Sequence, residues 1–88
     1  MVAYRVELSN RAKRDVATLS PQVQTRILKA LRTLEANPRP LGVEKLKGED
    51  DAYRLRVGDY RILYEVHDEV LLVLVVKVGH RREVYRKR

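Results

Sequence analysis

Apolar residues recur along the chain with two periods, and each change of period marks an element. Val2, Tyr4, Val6 and Leu8 alternate with Ala3, Arg5 and Glu7, which predicts a strand with one buried face. Ser9 and Asn10 can cap a helix start, and Ala12, Val16 and Leu19 follow at helical spacing, so 10–19 reads as a short helix. Ser20-Pro21 restarts the chain, with Ser at the N-cap and Pro at the first helical position. Val23, Ile27, Ala30, Leu31 and Leu34 then share one stripe. This second helix runs to about Ala36 and stops before Asn37-Pro38. Residues 37–52 hold Pro38, Pro40, Gly42, Gly48 and the acids Glu49, Asp50 and Asp51. They predict a loop from helix to sheet, in which Glu44–Gly48 forms a turn or a short extended segment.

From Tyr53 the period is two again. Tyr53, Leu55 and Val57 alternate with Arg54 and Arg56, and Tyr60, Ile62, Tyr64 and Val66 alternate with Arg61, Leu63 and Glu65. Gly58-Asp59 between them suits a two-residue hairpin turn. A second turn near His67–Glu69 leads to Val70–Val78, which is apolar on both faces, as a central strand is. Gly79 ends that strand, and a basic tail follows. The expected fold is α+β, in the order β-α-α-β-β-β: a mostly antiparallel twisted sheet with an N-terminal helical hairpin on one face and a short basic C-terminal tail. With 88 residues the chain is one domain, 1–88.

Composition adds a partner class. Nineteen Lys+Arg against twelve Asp+Glu leave a net charge of +7, which points to a polyanionic partner. The excess is uneven: residues 1–36 carry +4, 37–59 carry 0, 60–79 carry −1 and 80–88 carry +4. Arg11, Lys13, Arg14, Arg26, Lys29 and Arg32 make the outer faces of the helices basic, as a binding surface or as plain solvated faces. There is no cysteine, which excludes a disulfide scaffold, a thiolate metal site and a Cys nucleophile. The chain start has no apolar run, and the longest such run, Val70–Val76, is too short to span a bilayer. The expected compartment is cytoplasmic, with no membrane partner. No His or carboxylate spacing suggests a metal.

The hairpin turn places Arg56 opposite Arg61 and Arg54 on the same face. Like charges directly opposite on a sheet destabilise it, so the cluster makes sense where an anion sits between the guanidiniums, and Arg forks bind phosphate bidentately. The other reading is neutralisation by Glu65 and the acids at 49–51. If the last strand lies beside Tyr60–Val66, Gly79 emerges near Arg61 and brings His80, Arg81, Arg82 and Tyr85 to the same end. Tyr85 then stacks on a base or moves a proton, or else covers an apolar edge. His80 is an acid/base candidate or a phosphate or backbone contact, and His67 is a solvated turn residue.

Three runs together resemble the RelE toxins of the RelE/ParE superfamily of toxin–antitoxin modules. They are Lys45-Leu46-Lys47-Gly48, Tyr53–Val66 with its Tyr-Arg-Ile-Leu-Tyr-Glu-Val segment, and Val78-Gly79-His80-Arg81-Arg82-Glu83-Val84-Tyr85. The resemblance covers nearly the whole chain. The Tyr-Arg-Ile-Leu-Tyr-Glu-Val segment is shared across the superfamily, whereas the surrounding basic residues and the terminal Arg-x-x-x-Tyr are more RelE-like. It implies an mRNA endoribonuclease acting in the ribosomal A site without metal or other cofactor, the RNA 2′-OH attacking to leave a 2′,3′-cyclic phosphate and a 5′-OH. The implied catalytic positions are Arg54, Arg56, Arg61, Arg81 and Tyr85. The helix cations with Lys45, Lys47, His80 and Arg82 would contact mRNA and rRNA. A RelB-like antitoxin would neutralise the toxin, and the complex would bind operator DNA. The alternative within the superfamily is a ParE-like gyrase poison without nuclease activity. One departure matters: the best-known members have lysines where this chain has Arg54 and Arg56. Arginine does not deprotonate, so a lysine-base role does not carry over, and Tyr85 or His80 becomes the expected proton acceptor.

Overall fold

The computed structural model describes residues 3–48 and 51–80. The elements are β1 (Arg5–Leu8), α1 (Asn10–Ala17), α2 (Pro21–Ala36), β2 (Glu44–Lys45), β3 (Ala52–Val57), β4 (Tyr60–His67) and β5 (Leu72–His80), with one turn of 3₁₀-helix at Asp68–Val70. The two serines cap the helices as their positions predict. Ser9 Oγ accepts from Ala12 N at 3.0 Å and Ser20 Oγ from Val23 N at 3.4 Å, each satisfying an amide that helix geometry leaves without a partner.

The strands form one five-stranded sheet in the order β1-β5-β4-β3-β2. β1 runs parallel to β5, and the other neighbours are antiparallel. The fold is α+β, as expected, with a mixed sheet. Both helices lie on one face. Ala12, Ile27, Leu31 and Leu34 pack there against Ile62, Tyr64, Val66, Val73, Val75 and Val78 in the main core cluster. The opposite face of β3 and β4 carries the arginines.

Some details refine the sequence pattern and others differ from it. The segment 44–48 resolves into a two-residue edge strand that pairs Glu44 with Arg54 and Lys45 with Tyr53. The last strand begins at Leu72 rather than Val70, because Asp68–Val70 coil into 3₁₀-helix and Leu71 sits in the left-handed region at φ 52°. Finally, β5 carries a bulge where the register against Leu63 and Tyr64 skips Val76. Without that extra residue, the alternation that buries Val73 and Val75 would drive Lys77 into the core. With it, Val78 turns inward, and Lys77 and Gly79 stand opposite Leu63 and Arg61.

A bulge leaves backbone groups outside the ladder, and α1 supplies their partners. Ser9 Oγ donates to Val76 O at 2.9 Å, and Asp15 Oδ2 accepts from Val78 N at 3.0 Å. Ser9 therefore both caps α1 and pins the bulge. Ser9→Ala is expected to lower unfolding stability by about 1–2 kcal/mol, read from the urea midpoint at unchanged m-value.

A polar clamp closes the far end of the sheet. Arg39 donates to Asp68 Oδ2 at 2.7 Å and Oδ1 at 3.3 Å, and its Nε donates to the Tyr53 hydroxyl at 2.9 Å. Tyr4 donates to Asp68 Oδ1 at 2.6 Å. Tyr53 stacks on buried Tyr64 at 5.8 Å, and the Tyr64 hydroxyl donates to Pro38 O at 2.7 Å. The hydrogen bonds from Arg39 and Tyr4 hold the Asp68 carboxyl below its usual range. Such a group stabilises the fold above the ordinary carboxylate pKa and loses that contribution as pH falls through its depressed value. Thermal midpoints across pH 2–6 are therefore expected to fall less steeply for Asp68→Asn than for the wild type.

Candidate anion-binding site

The site grows from the β3–β4 register. The two-residue turn at Gly58–Asp59, with Gly58 at φ 59°, sets Val57 against Tyr60, Arg56 against Arg61 and Arg54 against Leu63. Arg54, Arg56 and Arg61 thus share the face turned away from the helices, as the alternation predicts. Their burial is graded: Arg56 is exposed, Arg54 half-buried, and Arg61 only 4% exposed. Arg61 Nη1 donates to Tyr60 O at 3.3 Å. Gly79, across the ladder from Arg61, presents no side chain there. The last strand does run beside β4, and His80 pairs with Tyr60, their rings meeting edge-on at 5.6 Å.

Among the described residues, a carboxylate outside those expected meets the cluster. Glu65 instead meets His67 at 2.9 Å, and Glu49 and Asp50 lie outside the described residues. Glu44, at the sheet edge, takes that place: Arg54 Nε donates to its Oε1 at 3.0 Å, and Arg54 Nη2 donates to the same oxygen. This hydrogen bond and the Arg54 charge hold the Glu44 carboxyl below its usual range, with smaller contributions from Arg56 and Arg61. All three guanidiniums therefore act electrostatically on one carboxylate, which maps where an anion is attracted. No local signal in the sequence marks this: Glu44, and not Lys45, shares the face of Arg54 only through the register that sets them opposite.

The other expected contacts are distributed. Arg11, Lys13, Arg14, Lys29 and Arg32 are exposed on the helices, on the opposite side of the sheet from the three arginines. Arg11 faces Asp15 at 3.8 Å. Arg26 reaches farther: an ideal Cβ at Gly58 would stand 2.6 Å from Arg26 Nη2, so a helix cation lies over the hairpin turn at the site end. Lys45 pairs with Tyr53, on the face away from the arginines. Lys47 lines a shallow groove with Leu46, Leu63, Glu65 and Val76. Arg81, Arg82 and Tyr85 lie outside the described residues. Among the described residues no three His, Asp or Glu side chains cluster as a metal ion requires, and no helix is long and apolar enough to cross a membrane.

Fold and site together define a small basic α+β domain whose sheet face converges three guanidiniums. A family model described as "ParE toxin of type II toxin-antitoxin system, parDE" matches residues 6–85. The mRNA interferase toxin RelE of Escherichia coli K12 is 35% identical over 88 residues, covering 96% of this chain and 92% of that protein. Toxin RelG of Mycobacterium tuberculosis is 29% identical over 85 residues, covering 96% and 98%. A chain in the crystal structure of an archaeal RelE–RelB complex from Pyrococcus horikoshii superposes with a TM-score of 0.81 at 30% identity, covering 91% of this chain and 97% of that one. The chain belongs to the RelE/ParE family of toxins of type II toxin–antitoxin systems.

An anion seated on the arginines stabilises the folded state by mass action. Sulfate or phosphate, compared with chloride at matched ionic strength, is expected to raise the thermal midpoint of the wild type and to raise that of Arg56→Gln by less. Arg56 is exposed, so its replacement leaves the core intact.

Proposed function

We propose that this toxin cleaves mRNA in the ribosomal A site. The carrying observation is the alignment of Arg54, Arg56 and Arg61 on one sheet face, with Arg56 directly opposite Arg61. In the reaction, the ribose 2′-oxygen attacks the adjacent phosphorus and the bond to the 5′-oxygen breaks. The 2′-hydroxyl proton leaves to a base and the 5′-oxygen gains one, giving a 2′,3′-cyclic phosphate and a 5′-OH. Negative charge grows on the phosphorane, where pre-positioned guanidiniums stabilise it more than the ground state. Arg54, Arg56 and Arg61 take this role, and Arg81 stands beside the leaving oxygen. Tyr85 or His80 takes the proton, since arginine at 54 and 56 does not.

Exposed Arg11, Lys13, Arg14, Arg26, Lys29 and Arg32 would meet rRNA phosphates, and Lys45, Lys47, His80 and Arg82 the message. Phosphate contacts of this kind supply affinity without reading sequence. The E. coli relative is named an mRNA interferase, which supports the nuclease reading. The P. horikoshii relative was crystallised with RelB, which supports a RelB-like antitoxin as the cytoplasmic partner, the complex binding operator DNA. The ParE description of the matching family model favours the rival, a gyrase poison. Converging guanidiniums favour the nuclease, because a protein target needs no phosphate site.

Primer extension on a defined mRNA, with and without programmed ribosomes, tests this. The expected result is cleavage within the A-site codon only when ribosomes are present, reduced about 10²–10³-fold by Arg61→Ala. Arg56→Gln, at the exposed member of the pair, is expected to reduce it as well without loss of folding. Absence of cleavage from a protein that still arrests growth and inhibits gyrase supercoiling would overturn the nuclease reading in favour of the rival.

A further inference from the structure

The contact between Glu44 and Arg54 occupies one of the paired N–H edges through which a guanidinium grips a phosphate. A guanidinium grips an oxyanion in its own plane through paired N–H groups. Both Nε and Nη2 of Arg54 are already directed at Glu44 Oε1. The Arg54 side chain is 22% exposed and that of Glu44 is 55% exposed, so the carboxylate comes from the solvent side and can swing away. Arg56 and Arg61 also face Glu44 electrostatically from β3 and β4, the two strands that carry the site. The pairing is cross-strand, Glu44 on a two-residue edge strand opposite Arg54.

We propose that Glu44 is a resident counter-anion that holds Arg54 against free RNA and yields it to a strand presented in place. The proposal rests on the RNA-cleavage reading and deepens it, making Glu44 a specificity-determining residue. A carboxylate tethered beside Arg54 competes at a high effective concentration, which a dilute RNA phosphate does not match. An RNA strand already fixed over the sheet by other contacts has a comparable effective concentration and displaces it. The site therefore discriminates by how the phosphate is delivered, not by which bases flank it. Glu44 needs no contact with the reacting atoms for this, and it reaches the RNA only through Arg54.

The test is fluorescence anisotropy with a labelled single-stranded oligonucleotide bearing 2′-O-methyl groups, which binds but cannot be cut. Wild type, Glu44→Gln, Arg54→Gln and the double variant are compared across a salt series, with Asp59→Asn as a control for simple loss of negative charge. Glutamine keeps the shape and an acceptor for Arg54 but not the charge, and thermal midpoints confirm that each variant folds. Glu44→Gln is expected to bind the oligonucleotide about two- to five-fold more tightly, the range of a partly exposed ion pair. Its log–log salt slope is expected to steepen by about 0.7, one additional phosphate contact on a single strand. The gain should vanish in the Arg54→Gln background and exceed that of Asp59→Asn. In primer extension, Glu44→Gln should gain cleavage of ribosome-free RNA while cutting the programmed message.

Equal binding by Glu44→Gln and wild type overturns the proposal, and so does a gain that persists without Arg54 or is matched by Asp59→Asn. In each of these cases cleavage by the wild type on ribosomes leaves the nuclease reading standing. Failure of the wild type to cut on ribosomes removes that reading and this account of selectivity with it.

Discussion

The register between β3 and β4 is the constraint on which the rest of the molecule depends. Side chains alternate faces along a strand, so a slip of one residue exchanges core and surface over the whole length. Here the exchange would bury Arg54, Arg56 and Glu65 beneath the helices and expose Ile62, Tyr64 and Val66. The helix side there is lined by buried Ile27, Leu31 and Leu34. Burying even one unpaired charge costs far more than a small domain holds in reserve. The Gly58–Asp59 turn selects the one register that avoids this, and Gly58 adopts a positive φ that other residues reach only with strain. Folding and the assembly of the arginine face are thus one event.

That register alone would not complete the site. β5 must present Val73, Val75 and Val78 to the core while keeping Lys77 out of it, and strict alternation cannot satisfy both. The bulge at Val76 resolves the conflict by adding one residue between the two halves of the strand. Its consequence for the site is that Gly79, and not a valine, lies across from Arg61. The bulge in turn depends on α1, because Ser9 and Asp15 take up backbone groups at Val76 and Val78. A helix on one face therefore helps to determine what stands beside the arginine on the other.

How much of this was legible in the sequence follows from the range of each interaction. The helices and the hairpin were readable because capping serines, Pro21 and Gly58-Asp59 act over a few residues, and alternation then set the arginine face. The bulge was not readable: Val70–Val78 is apolar on both faces, so alternation leaves no mark where parity changes. The start of β5 is hidden for the same reason, Val70 and Leu71 being apolar yet lying in the turn. Glu44 escaped notice because its importance depends on pairing across to Arg54, ten residues on, and a two-residue strand carries no period. Arg39 escaped it too, as an isolated cation in a proline-rich loop whose partners Tyr53 and Asp68 come from distant strands and turns.

The charge distribution bears on why the arginine face persists. A sheet that sets Arg56 against Arg61 accepts a repulsion that two apolar residues would not have. Glu44 offsets part of it from the edge. An RNA phosphate supplies further negative charge, and a phosphorane supplies more still. On the proposed reading, the repulsion between Arg56 and Arg61 is relieved as that charge develops. Arginine suits such a site better than lysine in one respect: its charge cannot be shed to relieve the repulsion.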